Sequence, residues 1–485
     1  MDLKTFVKIS IIMAAITSYS FIALAYPLTG HADTITLLDY SWQISQGIQP
    51  DFYDGTNLPY DIKQTDIQFA AHHPPLYYKV ISPITSYLID NGYTYRQLVL
   101  GTRFVNVAIS LLTLIFIAIY ADCFNLFKKR HFDLVFLTFF AFYLPFAKVS
   151  GLIFSESLLL LFIAVAWISS VNILKFGYNH SSYATLLICT ALGMYTKVSY
   201  LSTLLITLMI MFAGIFLYSS NNSFKIRQFF STSSSVLLIL AAAFLVSGSF
   251  YYGNYELSGS FLRAAEQSWI TQYTDREYKD FFSVASNSKI WGYLVMPKIA
   301  LNIHNLTFNN ILYMTIGIFS LIGYFAFFSA LYKNYCRNKL DYKQAILATS
   351  FIFLILIVIM QMIFHATGYG AYNARYLLPA IIAIAAVITN GLLTIPKIGN
   401  FLPVIYLLLG SFSILTFLLE KYGIPFYSFD LIEFISFSDT TELLSGVPFS
   451  ILGDLLTACI ITITISLILT LIYTLQSKNN ALNNI

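Results

Sequence analysis

Charge is what this sequence has least of. Of 485 residues only 10% are Asp, Glu, Lys or Arg, against 58% hydrophobic and 17% aromatic. Soluble domains carry about 25% charged residues, so the scarcity excludes a water-soluble globular chain and points to a polytopic membrane protein, expected to be all-α from the apolar runs below. The formal net charge of +4 is too small to imply a nucleic-acid partner. Cysteine is also scarce. The four present (Cys123, Cys189, Cys336 and Cys459) lie far apart, without metal-ligand spacing or a disulfide framework. No G-x-x-x-x-G-K-[S/T], no G-x-G-x-x-G and no D-x-D occurs. Cytosolic nucleotide chemistry is thereby disfavoured, whether for ATP-driven transport or for direct use of a nucleotide sugar.

What is present is apolar runs. The first, Phe6–Leu28, is preceded by Lys4 and contains Lys8. Ala23-Leu24-Ala25 resembles a signal cleavage site, but a run of about 20 residues exceeds the 7–15 of a signal h-region, which favours an uncleaved span. Later runs near the ~20 residues needed to cross a bilayer begin around Leu98, Phe132, Leu152, Tyr183, Leu201, Ser235, Ile311, Tyr342, Leu377, Phe401 and Ile451, about twelve in all. With the N-terminus inside, the cytoplasmic connections carry Lys128-Lys129-Arg130, Lys175, Lys225 with Arg227, Lys333, Arg337, Lys339, Lys343 and Lys397, and the tail carries Lys478. Every inside loop is then basic, as the positive-inside rule requires. Both termini are predicted to be cytoplasmic.

Three longer segments remain for the outer face: Thr29–Arg96, Gly253–Asn310 and Lys421–Val447. Loops of that length usually have a function. In the first, Tyr77, Val80, Ile81, Ile84 and Leu88 recur at helical spacing and predict an amphipathic surface helix, bent at Pro83. In the second, Phe261, Trp269, Phe281, Phe282 and Trp291 alternate with charges. Trp42, Trp269 and Trp291 all fall in outer segments, the usual place of interfacial anchors.

Charged groups at membrane depth are costly and tend to be functional, so the candidate site is a short set of residues. Six aspartates and His72-His73 lie between Asp33 and Tyr78. Asp33 falls where the chain leaves its first span. Glu156 opens the fourth, with Lys148 shortly before it; Lys197 lies between two spans; Arg375 opens the tenth, after His365. All belong to the predicted outer side. Pro74-Pro75 make the backbone at His73 extended and stiff. The commoner role for each residue stands beside this one: a solvated loop aspartate, a snorkelling cation, or a histidine pair in a turn.

The ordered pattern resembles the polyprenyl-phosphate-dependent C-type glycosyltransferases (GT-C), the group that includes protein mannosyltransferases and lipid A aminoarabinose transferases. The residues that carry the resemblance are Asp33 after the first helix, Ile44-x-x-Gly47, His73-Pro74-Pro75-Leu76-Tyr77-Tyr78, Thr102-Arg103-Phe104, Pro145 before Ser155-Glu156, Thr196-Lys197, and Arg375-Tyr376-Leu377-Leu378-Pro379. It covers residues 1–395, with 396–485 as additional spans. The resemblance implies a GT-C-like bundle in a bacterial inner membrane. Its implied activity is hexosyl or pentosyl transfer from a lipid-phosphate sugar to a glycolipid, glycan or protein at the outer face. Asp33 and Glu156 would be the catalytic carboxylates, and His73, Lys197 and Arg375 the donor-phosphate residues. His72 and Asp39 would contact substrate or a divalent metal. Two departures stand out: Asp33-Thr34 where the family often has Asp-Glu, and His72-His73 where it has an acidic-basic pair. A flippase or transporter of lipid-linked sugars and a surface-polysaccharide polymerase or ligase are the alternatives. A carrier would place ionisable residues near the midplane, in repeated halves, and neither feature is visible in the sequence.

Overall fold

The structure is a computed structural model. It describes residues 2–28, 33–177, 179–218, 222–259, 261, 277–295, 308–368, 370, 373–396, 399, 401–421, 447 and 449–482. Among the described residues there is no strand, only one isolated bridge between Lys279 and Gly368. The helices in chain order are α1 (Leu3–Ala25), α2 (Thr34–Ser45), α3 (Leu76–Asp90), α4 (Tyr95–Tyr120), α5 (Phe132–Phe142), α6 (Leu144–Gly151), α7 (Glu156–Phe176), α8 (His180–Thr196), α9 (Leu201–Tyr218) and α10 (Asn222–Ser258). Short helices at Phe281–Ala285 and Ser288–Gly292 come next. Long ones follow at Phe308–Cys336, Tyr342–Ala366, Ile381–Leu392, Leu402–Lys421 and Phe449–Leu482.

All of the apolar runs fall on helices, but they do not all reach spanning length. Among the described residues eight helices are long and apolar enough to cross a membrane, and α5 with α6 makes a ninth if that pair, bent by 56°, is one span. The apolar helices at Val198–Ala213 and Leu402–Leu418 are shorter. Pro145 near the start of α6 explains the bend, because its ring cannot donate into the preceding turn. The chain is a multi-pass membrane protein. Much of the Gly253–Asn310 and Lys421–Val447 segments, including Trp269, and the residue Lys397 lie outside the described residues, as do the side chains of Lys225, Arg227 and Lys478.

α1 buries one face in the bundle and leaves Phe6, Ile9 and Met13 exposed on the other. It packs on α4, α5 and α6 and along the Phe449–Leu482 helix, so the C-terminal helices close the same bundle. Hydroxyl pairs join those two helices, Ser10 to Ser466 at 3.3 Å and Thr17 to Thr462 at 2.8 Å. Such pairs, with small residues, hold helices together where lipid supplies no hydrophobic drive. Gly323 and Gly391 do this for another crossing: a methyl added at Gly391 would collide with the Gly323 carbonyl.

One end of the bundle gathers the basic residues. Asp133, at the start of α5, is buried against Lys4 at 2.8 Å and Lys8 at 2.7 Å. Lys8 also donates to Ala118 O, Lys175 to Cys123 O, Lys343 to Lys175 O and Arg130 to Ser477 O. Cations on carbonyls near helix C-termini are favourable. Part of the predicted cytoplasmic charge therefore caps helices. The opposite end holds Asp33, Glu156, Lys197 and Arg375.

Two buried polar residues of α4 shape that opposite end. Arg103 is 1% exposed and faces the C-terminus of α1. Its guanidinium donates to Ala23 O at 2.8 Å, Tyr26 O at 2.7 Å and Pro27 O at 2.9 Å, carbonyls that no further helical turn can satisfy. The chain's exit toward Asp33 is thus tied to α4. Hydrogen bonds involving a charged group contribute roughly 1.5–3 kcal/mol. Arg103→Met is expected to lower unfolding stability by about that much. Arg103→Lys should recover only part of it, since an ammonium lacks the planar fork. Thermal unfolding in detergent checks this; a loss under about 0.5 kcal/mol for Arg103→Met would refute it, being below the worth of a single such bond.

Within the predicted outer segment, α2 and α3 pack against each other. Ser41 of α2 bonds Thr85 of α3 at 3.0 Å, and Tyr40 stacks on Tyr78 with ring centroids 4.0 Å apart. α3 is amphipathic as expected, burying Tyr77, Tyr78, Ile81, Thr85 and Leu88; Val80 faces outward. Pro83 lies inside a continuous helix. The carbonyl its missing N–H leaves open, Lys79 O, accepts instead from the Ser82 hydroxyl at 3.0 Å.

Candidate functional site

Asp33 occupies the N-cap position of α2, yet its carboxylate makes no capping bond there. Its backbone carbonyl receives Leu37 N and the Thr36 hydroxyl. The side chain, 38% exposed, turns toward Arg375 at 3.4 Å. That separation exceeds the 2.7–2.9 Å usual for charge-assisted bonds, so the pair is loose. Arg375 opens a 3-10 stretch, Ala374–Ala380, capped by the Asn373 side chain on Arg375 N. The guanidinium lies over the Phe154 and Tyr376 rings, 5.0 and 5.4 Å from their centroids.

Glu156 is held differently. It is the first residue of α7 and is buried, with Oε1 2.8 Å from Lys197 Nζ. Lys197 caps the C-terminus of α8 in an extended conformation, at the corner before the 3-10 turn Val198–Tyr200. Gly193 makes that corner possible, because any Cβ there would strike the Tyr200 ring. The corner at Ser155-Glu156 is pinned from α4 by Asn106. Its amide donates to Leu152 O, and to Phe154 O at 3.1 Å, while its carbonyl accepts the Tyr77 hydroxyl at 2.9 Å. Arg375 lies within electrostatic reach of Glu156 as well as Asp33, which joins the two ion pairs.

His73 completes the cluster. It follows the 3-10 turn Phe69–His72 with the extended backbone expected before Pro74 (φ −88°, ψ 141°). Its carbonyl accepts the Tyr40 hydroxyl at 2.9 Å, and its ring lies 4.0 Å from that of His72. Burial first, then His72 and the charges of Lys197, Arg375 and His365, hold the imidazole well below its ordinary range. His73 is therefore neutral at physiological pH, able to donate from one nitrogen and accept at the other. His365 packs its ring on Tyr376, 4.8 Å between centroids.

Asp39 stands apart. It is 0% exposed, and its carboxylate accepts from Asn57 N at 2.7 Å, from the Gln43 amide at 2.8 Å and from the Gln68 amide. Burial pushes this carboxyl above its ordinary range against those three donors. The arrangement is a staple. Gln68 caps Ala70 N, so Asp39 holds in place the turn that presents His72 and His73. Among the described residues no three His, Cys, Asp or Glu side chains gather to hold a metal ion.

Asp33, Glu156, His73, Lys197 and Arg375 are thus brought together, with His72 against His73. Nothing in the sequence singles out the residues that hold them, Asn106, Gln68 and Tyr40, for such a role. An asparagine inside an apolar run is the one available signal, and it points to burial, not to a partner.

These features define a helical, multi-pass membrane protein with two linked ion pairs at one end of the bundle. No family model matches the chain, and no curated protein matches it in sequence. Among solved structures it is similar to ArnT from Cupriavidus metallidurans in the apo state: 10% identity, 93% of this chain and 74% of that one, TM-score 0.48. It is also similar to ArnT from the same organism bound to undecaprenyl phosphate: 11% identity, 95% and 76%, TM-score 0.46.

Proposed function

We propose that the chain is an inverting membrane glycosyltransferase that moves a sugar from a polyprenyl-phosphate carrier to an acceptor hydroxyl or amine. The observation that carries the reading is the contrast between the two ion pairs. Glu156–Lys197 is tight and buried, whereas Asp33–Arg375 is loose and partly exposed beside it. A partly exposed carboxylate beside a cation can take a proton from an acceptor while the cation meets an anion. The order of the sequence motifs supports the same chemistry.

In this reading Asp33 removes the acceptor proton as the acceptor oxygen or nitrogen attacks the anomeric carbon. The bond from that carbon to the phosphate oxygen breaks, and the polyprenyl phosphate departs with the electron pair. Arg375 and Lys197 stabilise the charge growing on the phosphate, and such preorganised electrostatic stabilisation usually lowers a barrier more than proton transfer does. Glu156 fixes the Lys197 ammonium. Neutral His73 hydrogen-bonds the headgroup without adding charge. A single displacement inverts the anomeric centre. A lipid-borne donor also suits a chain without a nucleotide-binding motif. The positive-inside rule supports a cytoplasmic basic end and hence a site on the outer face, and the sequence resemblance supports a bacterial inner membrane with a glycolipid, glycan or protein as acceptor.

The test is transfer of a labelled sugar from polyprenyl-phosphate donors by purified protein in nanodiscs. Transfer with inversion is the expected result. Donor flipping in liposomes without transfer would replace this reading with a carrier.

A further inference from the structure

His73-Pro74-Pro75-Leu76 leads into two adjacent tyrosines, both 0% exposed, whose hydroxyls are treated differently. Tyr77 donates to Asn106 at 2.9 Å. Tyr40, stacked on Tyr78, donates to His73 O and accepts from Gln49 at 2.7 Å. The Tyr78 hydroxyl alone of the three has no hydrogen-bond partner among the described residues. The rest of the residue is engaged: Ser41 donates to Tyr78 O, and the ring packs on Tyr40.

A buried hydroxyl without a partner costs about 1–3 kcal/mol, and native folds leave few. Phenylalanine would supply the same ring against Tyr40 without that cost. The Tyr95 and Tyr406 hydroxyls are likewise buried without a partner among the described residues, so what marks the Tyr78 oxygen is its place beside the site. Asp33 and Glu156 both lie within electrostatic reach of the phenol. Burial, reinforced by those carboxylates, holds the phenol well above its ordinary range, so it keeps its proton and can donate. The charges around it are already matched, two carboxylates against Lys197 and Arg375. An incoming phosphate adds negative charge that faces Arg375 and Lys197, and a protonated phenol can add a hydrogen bond to it without changing the charge of the set.

We propose that Tyr78 is a binding residue of this site, its hydroxyl donating a hydrogen bond to a phosphate oxygen of the lipid-linked headgroup. The inference rests on the functional reading above. It assigns the tyrosine oxygen, not its ring, to the ligand.

The experiment compares full-length wild type with Tyr78→Phe in nanodiscs by thermal unfolding and by binding of two probes, polyprenyl phosphate and the uncharged polyprenol. Tyr78→Phe is expected to unfold at the wild-type temperature or above it. Its affinity for polyprenyl phosphate should fall about tenfold or more, the worth of one hydrogen bond to a charged acceptor, while polyprenol binding stays constant. Tyr77→Phe serves as the contrast and should unfold earlier, because Asn106 loses its partner. Equal phosphate affinity in wild type and Tyr78→Phe would overturn the inference and leave the site reading intact. Earlier unfolding of Tyr78→Phe would also overturn it, by revealing a structural partner for the hydroxyl. Wild type that binds neither probe would remove the functional reading, and this inference with it.

Discussion

Asp33→Asn is expected to reduce sugar transfer by at least about 10²-fold, the lower bound for loss of a positioned general base, with little loss of stability. The two halves of that expectation come from one geometry. Asp33 is partly exposed and 3.4 Å from Arg375, and pairs of that kind contribute about 0–1 kcal/mol to folding. It caps no helix with its side chain. Removing its charge is thus expected to leave the bundle intact and to take away the carboxylate whose pair with Arg375 is the looser of the two. Unchanged turnover in a folded Asp33→Asn protein would exclude Asp33 as the base. A large fall in unfolding temperature would instead mean that the carboxylate serves the fold.

Lys197→Met gives the largest expected loss of stability. Glu156 is buried at the head of α7, and its one salt-bridge partner among the described residues is the Lys197 ammonium at 2.8 Å. Removing one member of a buried pair costs about 3–5 kcal/mol, because the remaining charge is left unpaired. Replacing both, in Glu156→Gln/Lys197→Met, should restore a substantial part of that loss. Transfer should remain low in the double variant, since the cation facing the departing phosphate is still missing. Strict additivity of the two single changes would mean that the pair does not interact. Recovered transfer in the double variant would deny Lys197 its role on the phosphate.

The contrast between these variants shows where sequence reasoning stops. Asp33, Glu156, Lys197 and Arg375 stand out because charge is rare in an apolar chain, and each falls where a span begins or ends. Their division into a loose pair and a tight pair is not visible there, because it depends on side chains that are far apart in sequence, Lys197 from Glu156 and Arg375 from Asp33. Asp39 and Asp33 look alike in the sequence, as aspartates of one loop. In the fold, Asp39 is enclosed by three donors and Asp33 faces the site.

By itself the sequence determined what depends on composition and local period. The scarcity of charge makes it a membrane chain, and apolar runs of bilayer length become helices because backbone groups in lipid must be satisfied within the segment. The His-Pro-Pro geometry is local too, since proline restricts its own φ and its neighbour's conformation. Only the tertiary structure decided that Arg103 ties the exit of α1, that Asn106 pins the Glu156 corner, and that the Tyr78 hydroxyl meets no structural partner among the described residues. Each of these turns on which polar atoms of distant segments meet once the helices pack. A buried donor or acceptor acquires its role from the partner that removal from water obliges it to find.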